Sequence, residues 1–159
     1  MQDCRIRTGF RESICPLDLK PEDIDIQDIA RALSRICRFS SFTEKFYSVA
    51  QHCILCAEYL EEQGENRDIQ LGGFTHDFCE GYSPSKDLPS PTKGYFSVFH
   101  IGESRQVDLK EYEDILNNTI CKGLKVPDLT NHPKVKKADK VLFYTELRDI
   151  WGDYSNFGS

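Results

Sequence analysis

A chain of 159 residues has room for one domain with a substantial core. Its 39% hydrophobic and 29% charged residues describe an ordinary globular protein, and a net charge of −6 excludes the extended basic surface that a long nucleic acid requires. No apolar run approaches the ~18 residues of a membrane span, and Met1 to Arg5 lack the apolar core of a signal peptide. A small phosphorylated ligand stays compatible, because one metal ion and a few Arg or Lys invert the local field. Seven cysteines, an odd count without framework spacing, fit reduced thiols in a cytoplasmic protein. The one CxxC, Cys53-x-x-Cys56, has no second copy and falls in a helical pattern, so it reads as small core residues.

Residues 1–24 form a mixed arm punctuated by Gly9 and Pro16, in which Ile6, Phe10 and Ile14 suit two short strands or an ordered arm. From Ile26 the pattern is helical: Ile26, Ile29, Ala30, Leu33, Ile36 and Cys37 recur at helix spacing, with Asp25 as the cap. A second helix is expected from about Ser48 to Glu62, its inward stripe carrying Val49, His52, Cys56 and Leu60. The short connection Gln63 to Arg67 favours antiparallel packing of a third helix, Asp68 to Cys79. That helix contains Gly72-Gly73, which makes sense where another backbone approaches closely.

The proline-rich stretch Tyr82 to Lys93 is expected to be an ordered, irregular loop, and Tyr95 to Ile101 a brief strand or a loop. Leu109, Tyr112, Leu116 and Ile120 mark a fourth helix closed by Gly123. A fifth starts at Pro133, runs to about Trp151 and puts Asp139 on a face with Val135 and Leu142; residues 152–159 read as a tail.

The polar side chains on these inward stripes are His52, His76, Asp77 and Asp139. Apolar faces do not bury such groups without pairing them or giving them something to coordinate. Two imidazoles and two carboxylates suit one divalent ion of the Mn, Co, Fe, Ni or Zn type, Mg being less natural with two nitrogen ligands. Glu80 follows His76 by four residues, so on a continuous helix it would sit one turn beyond.

At these residues the chain resembles a known family. The order His52, His76-Asp77, Asp139 is similar to the H…HD…D pattern of HD-domain metal-dependent phosphohydrolases. Further segments are similar to its bacterial and phage 5′-deoxynucleotidase branch: Asp28-Ile29-Ala30-Arg31-Ala32-Leu33-Ser34, Arg38-Phe39, Phe46 to His52, His76-Asp77-x-x-Glu80, Asp87 to Lys93, and Ala138-Asp139-Lys140 followed by Thr145-Glu146-x-Arg148-Asp149. The HD dipeptide alone would be weak; the combination is specific.

The resemblance implies an all-α fold, an HD-domain bundle of five or more helices with a short N-terminal β-hairpin or arm. It implies metal ligation by His52, His76, Asp77 and Asp139, with Glu80 as the acid–base carboxylate and Asp77 counted as catalytic as well. Arg38 would face the phosphate, assisted by Lys93; Asp87 would line a sugar pocket, and Phe39 would touch base or sugar. The implied activity is release of phosphate from (deoxy)nucleoside 5′-monophosphates. Its alternatives are dNTP triphosphohydrolysis, cyclic or signalling-nucleotide phosphodiesterase activity, and nucleotide binding without catalysis. The implied partner is a small nucleotide, with neither long nucleic acid nor membrane, and homo-oligomerisation stays open. Departures from the family pattern, such as Ser41-Phe42 where many relatives carry Gly-His, fall around the pocket and bear on substrate identity. His100 and His132 lie outside the matched segments and read as non-catalytic.

Overall fold

The computed structural model describes residues 3–151, so the expected tail and the first two residues lie outside it. The described chain is mostly helical, with one small antiparallel sheet. Helix α1 spans Ile26–Leu33, α2 Val49–Glu62, α3 Arg67–Thr75 and α4 Cys79–Tyr82. The short α5 is Ser90–Lys93; strands β1 (Ser97–His100) and β2 (Arg105–Asp108) form a hairpin, and α6 (Leu109–Leu124) and α7 (Pro133–Trp151) complete the order. No helix among the described residues is long and apolar enough to cross a membrane.

Local chemistry sets the helix starts. The Asp25, Asn66 and Asp108 side chains accept from backbone N–H groups at the starts of α1, α3 and α6, and Ser48 with Gln51 closes a capping box on α2. The expected stripes of α2 and α6 are buried, Val49, His52, Cys56 and Leu60 on the one and Leu109, Tyr112, Leu116 and Ile120 on the other, whereas on α1 Ile29 and Leu33 are buried but Ile26 and Ala30 are exposed. One core joins α1, the start of α2, α4 and α6; a second gathers Leu60, Ile69, Val135 and Ala138 from α2, α3 and α7. A Cβ on Gly73 would lie 2.5 Å from Leu60 Cδ1 and 3.3 Å from the Cys56 carbonyl, so glycine there lets α3 reach the α2 backbone. The two helices run antiparallel, with Gly73 beside Cys56 and Leu60 and His76 beside His52.

Several expectations change. The first helix stops at Leu33, and Ile36 and Cys37 belong to the loop that follows. The third does not continue to Cys79: it ends at Thr75, and His76 to Phe78 form a turn before α4. The N–H groups of Phe78, Glu80 and Gly81 donate to carbonyls three residues back, and Phe78 packs its ring against Phe74 at 5.1 Å. The arm forms a single antiparallel bridge, Ile6 with Ile14, which brings Cys4 and Cys15 to a Cα separation of 5.5 Å in a disulfide. Two of the seven cysteines expected as thiols are therefore paired, because the bridge sets them opposite each other. The stretch around Tyr95 to Ile101 resolves into β1, paired with β2 from Ser97↔Asp108 to His100↔Arg105.

Candidate metal centre and adjoining pocket

His52 comes from the buried face of α2. Its Nδ1 lies 2.6 Å from Glu146 Oε1, a buried carboxylate of α7. The same carboxylate accepts from the Tyr47 hydroxyl at 2.8 Å and from Arg38 Nε at 3.1 Å. A carboxylate only accepts, so His52 Nδ1 donates to it and Nε2 is left facing the cluster. His76 repeats the arrangement, with Nδ1 donating to the Gly73 carbonyl at 2.7 Å. The two Nε2 atoms then face each other at 3.3 Å. Ring nitrogens this close are held together by a proton shared with the neighbouring carboxylates or by a cation.

Two carboxylates close around them. Asp139 Oδ1 is 3.2 Å from His52 Nε2 and 3.8 Å from His76 Nε2. Asp77 Oδ2 is 3.3 Å from His76 Nε2 and 3.8 Å from His52 Nε2. The nearer separations, 3.2–3.3 Å, are of the size set by donors ~2.0–2.2 Å from one ion, so these residues could hold a divalent ion. Cysteine thiols adjoin it: His52, Cys56 and His76 place ligand atoms within 4.8 Å of one another, as do Cys53, His76 and Asp77. Imidazole Nδ1 atoms fixed by a carboxylate and a backbone carbonyl are the outer support that metal-binding histidines use.

The break after α3 explains how neighbours in sequence meet at one point. Consecutive side chains on a straight helix point about 100° apart. The turn at His76–Phe78 lets Asp77 reach the same cluster as His76. Burial alone would lower the His76 pKa, but Asp77 and Asp139 outweigh it and lift it to about 10. Burial would raise both aspartates, yet His76 for Asp77, and His52 and His76 for Asp139, hold them well below the usual carboxylate range.

Asp77 and Asp139 open onto a cavity of about 760 Å³. Glu80, on α4, lines it as well; it is 3% exposed and its Oε2 has no hydrogen-bond partner. Burial, with Asp77 and Asp87 adding to it, pushes the Glu80 pKa well above its ordinary value. Arg38, Lys93, Lys136 and Lys140 supply cations around the cavity, and Phe39, Phe42, Phe143 and Tyr144 supply aromatic surface.

The expected substrate residues all line this cavity, each already engaged. Arg38 binds Glu146 and stands 3.6 Å from Asp77. Lys93 donates to Glu113 Oε2 at 2.9 Å. Asp87 Oδ2 accepts from the Ser40 N–H at 3.3 Å, tying two loops together. Phe39 lies 5.9 Å from Phe143 between ring centres. Phe39, Ser40 and Ser41 all have left-handed backbone (φ 56, 52 and 64°), which costs each about 1–2 kcal/mol; the Ser40–Asp87 bonds help to hold that shape.

No family model matches the chain. Uncharacterized protein YfdR of Escherichia coli (strain K12) is 32% identical over 139 residues, which cover 87% of this chain and 68% of YfdR. The chain belongs to the YfdR family. A matched stretch of that length takes in the His52 and His76-Asp77 segments wherever its ends fall.

In this YfdR-family chain the residues around the site to which sequence reasoning gave no role there are Glu146, Tyr47, Lys136, Lys140, Phe143, Tyr144 and Cys56, the last read as a small core residue. Glu146 carried a usable signal, since it lies seven residues after Asp139 and so about two turns along the same face of α7. Tyr47 did not: it meets Arg38 only because the Arg38 N–H donates to the Tyr47 carbonyl, at 2.8 Å, in the bridge between Cys37 and Ser48.

Proposed function

We propose that this chain is a metal-dependent nucleotide phosphohydrolase with the HD-domain fold, releasing phosphate from (deoxy)nucleoside 5′-monophosphates. The observation that supports the reading is the meeting of two buried imidazole Nε2 atoms with two carboxylate oxygens, from Asp77 and Asp139, that open onto a cavity of about 760 Å³. His52, His76, Asp77 and Asp139 would hold a divalent ion, which supplies Lewis-acid polarisation of a phosphoryl oxygen and of water. Glu80, whose pKa burial raises, is suited to giving a proton to the leaving 5′-oxygen. Arg38 and Lys93 neutralise phosphate charge, and the aromatic side chains of Phe39, Phe42, Phe143 and Tyr144 suit a nucleobase.

A second reading, triphosphate hydrolysis at the same centre, is favoured by Lys136 and Lys140. They add two cations to Arg38 and Lys93, more than one phosphate group needs. A screen of nucleoside mono- and triphosphates under several divalent ions separates the readings. Orthophosphate from monophosphates supports the first, and tripolyphosphate from triphosphates the second. Tight nucleotide binding without turnover under any ion would instead mark a binding protein.

A further inference from the structure

We propose that Glu113 of α6 is a positioning residue, which aims the Lys93 ammonium at the substrate phosphate and so sets the affinity of the site for its substrate. It rests on the phosphohydrolase reading above, which gives Lys93 a phosphate to neutralise but nothing to aim it. Lys93 is the last residue of α5, a helix of four residues. Ser90, Pro91 and Thr92 before it and Gly94 after it are all exposed. A lysine carries its charge on a flexible four-carbon stem, and one in such a setting ordinarily extends into water. The Lys93 side chain is instead only 22% exposed, and its Nζ donates to Glu113 Oε2 at 2.9 Å.

Glu113 is fixed where Lys93 is not. It stands on the 16-residue α6 next to the buried Tyr112, and its side chain is 12% exposed. Backbone bonds fasten the two elements together: the Phe96 N–H donates to the Lys93 carbonyl at 3.1 Å, and the Leu109 N–H to the Phe96 carbonyl at 3.1 Å. A buried carboxylate is costly unless it is paired. Among the described residues Glu113 Oε2 meets Lys93, and Oε1 is buried without a partner. Lys93 lines the cavity together with Asp77 and Glu80, and both of those carboxylates act electrostatically on it. With one ammonium proton on Glu113, two remain for a ligand. A phosphate arriving there meets an ammonium already held in place, so binding loses less rotamer freedom. Read as a plain stitch between α5 and α6, the same bond predicts lower stability without a change in substrate affinity.

The test measures orthophosphate release from each of the four deoxynucleoside 5′-monophosphates by the full chain with Co²⁺. Glu113→Ala should raise KM about tenfold, the scale of one of the weaker hydrogen bonds to a charged group, while kcat and metal content stay near wild type. Glu113→Leu, closer to native volume, repeats the test where alanine loosens the core. In a Lys93→Met background the same substitutions should raise KM no further, because Glu113 acts through Lys93. A wild-type KM in Glu113→Ala and Glu113→Leu overturns the proposal and leaves the phosphohydrolase reading standing. So does a KM rise of equal size with and without Lys93, or a loss confined to kcat. No release from any of the monophosphates overturns both.

Discussion

Glu146 accepts from Tyr47 and Arg38 and holds the Nδ1 proton of His52, so its loss strands two buried groups and the half-buried Tyr47 hydroxyl together. Glu146→Gln keeps the volume but gives His52 Nδ1 a weaker acceptor; metal affinity should fall about 10–100-fold, read by competition with a chelating dye. His76→Ala and Asp77→Ala should each abolish metal content by mass spectrometry. Glu80→Gln should keep the metal and cut turnover by ~10²-fold or more. Glu80 also makes a prediction about stability. Its folded-state pKa is raised, so the folded protein holds a proton that the unfolded chain releases above the ordinary value of 4.5. The stability this contributes is full below that value and is lost as pH rises through the raised one. Chelator-treated wild type should therefore lose thermal stability relative to Glu80→Gln as pH climbs above about 4.5.

At the scale of elements, the site depends on one close approach and one strained loop. Gly73 lets α3 touch the α2 backbone, which sets the distance between His52 and His76. Gly73→Ala drives a methyl group into Leu60 and the Cys56 carbonyl, and should cost about 1–3 kcal/mol by denaturant titration and weaken metal binding with it. Ser41, at φ 64°, is the opposite case. Glycine takes that conformation freely, so Ser41→Gly should stabilise by about 0.5–1 kcal/mol after its greater unfolded-state entropy is subtracted. Unchanged stability in Ser41→Gly would show that the left-handed run costs nothing.

Across the whole molecule, the N-terminal arm and the metal centre are separate dependencies. Buried Asp28 on α1 accepts from the Thr8 hydroxyl and, at 3.0 Å, from the Phe10 N–H, while Arg31 covers the Phe10 ring. Asp28→Ala leaves those donors unpaired and should lower stability by about 1–3 kcal/mol while metal content holds. The helical stripes, their caps and the inward placement of His52 and Asp139 could be read from the chain alone, because helix period and capping chemistry are local. That period also pointed to His76, but it extended α3 past Thr75 and put Glu80 on the wrong helix, since tight turns leave little trace in hydrophobic spacing. The sequence by itself determined which elements form and which polar groups face inward, through nearest-neighbour sterics and periodicity. Only the tertiary structure decided that Glu146 supports His52, that Cys56 comes close to His76 and that Cys4 pairs with Cys15, because each contact depends on how separate segments cross or pack.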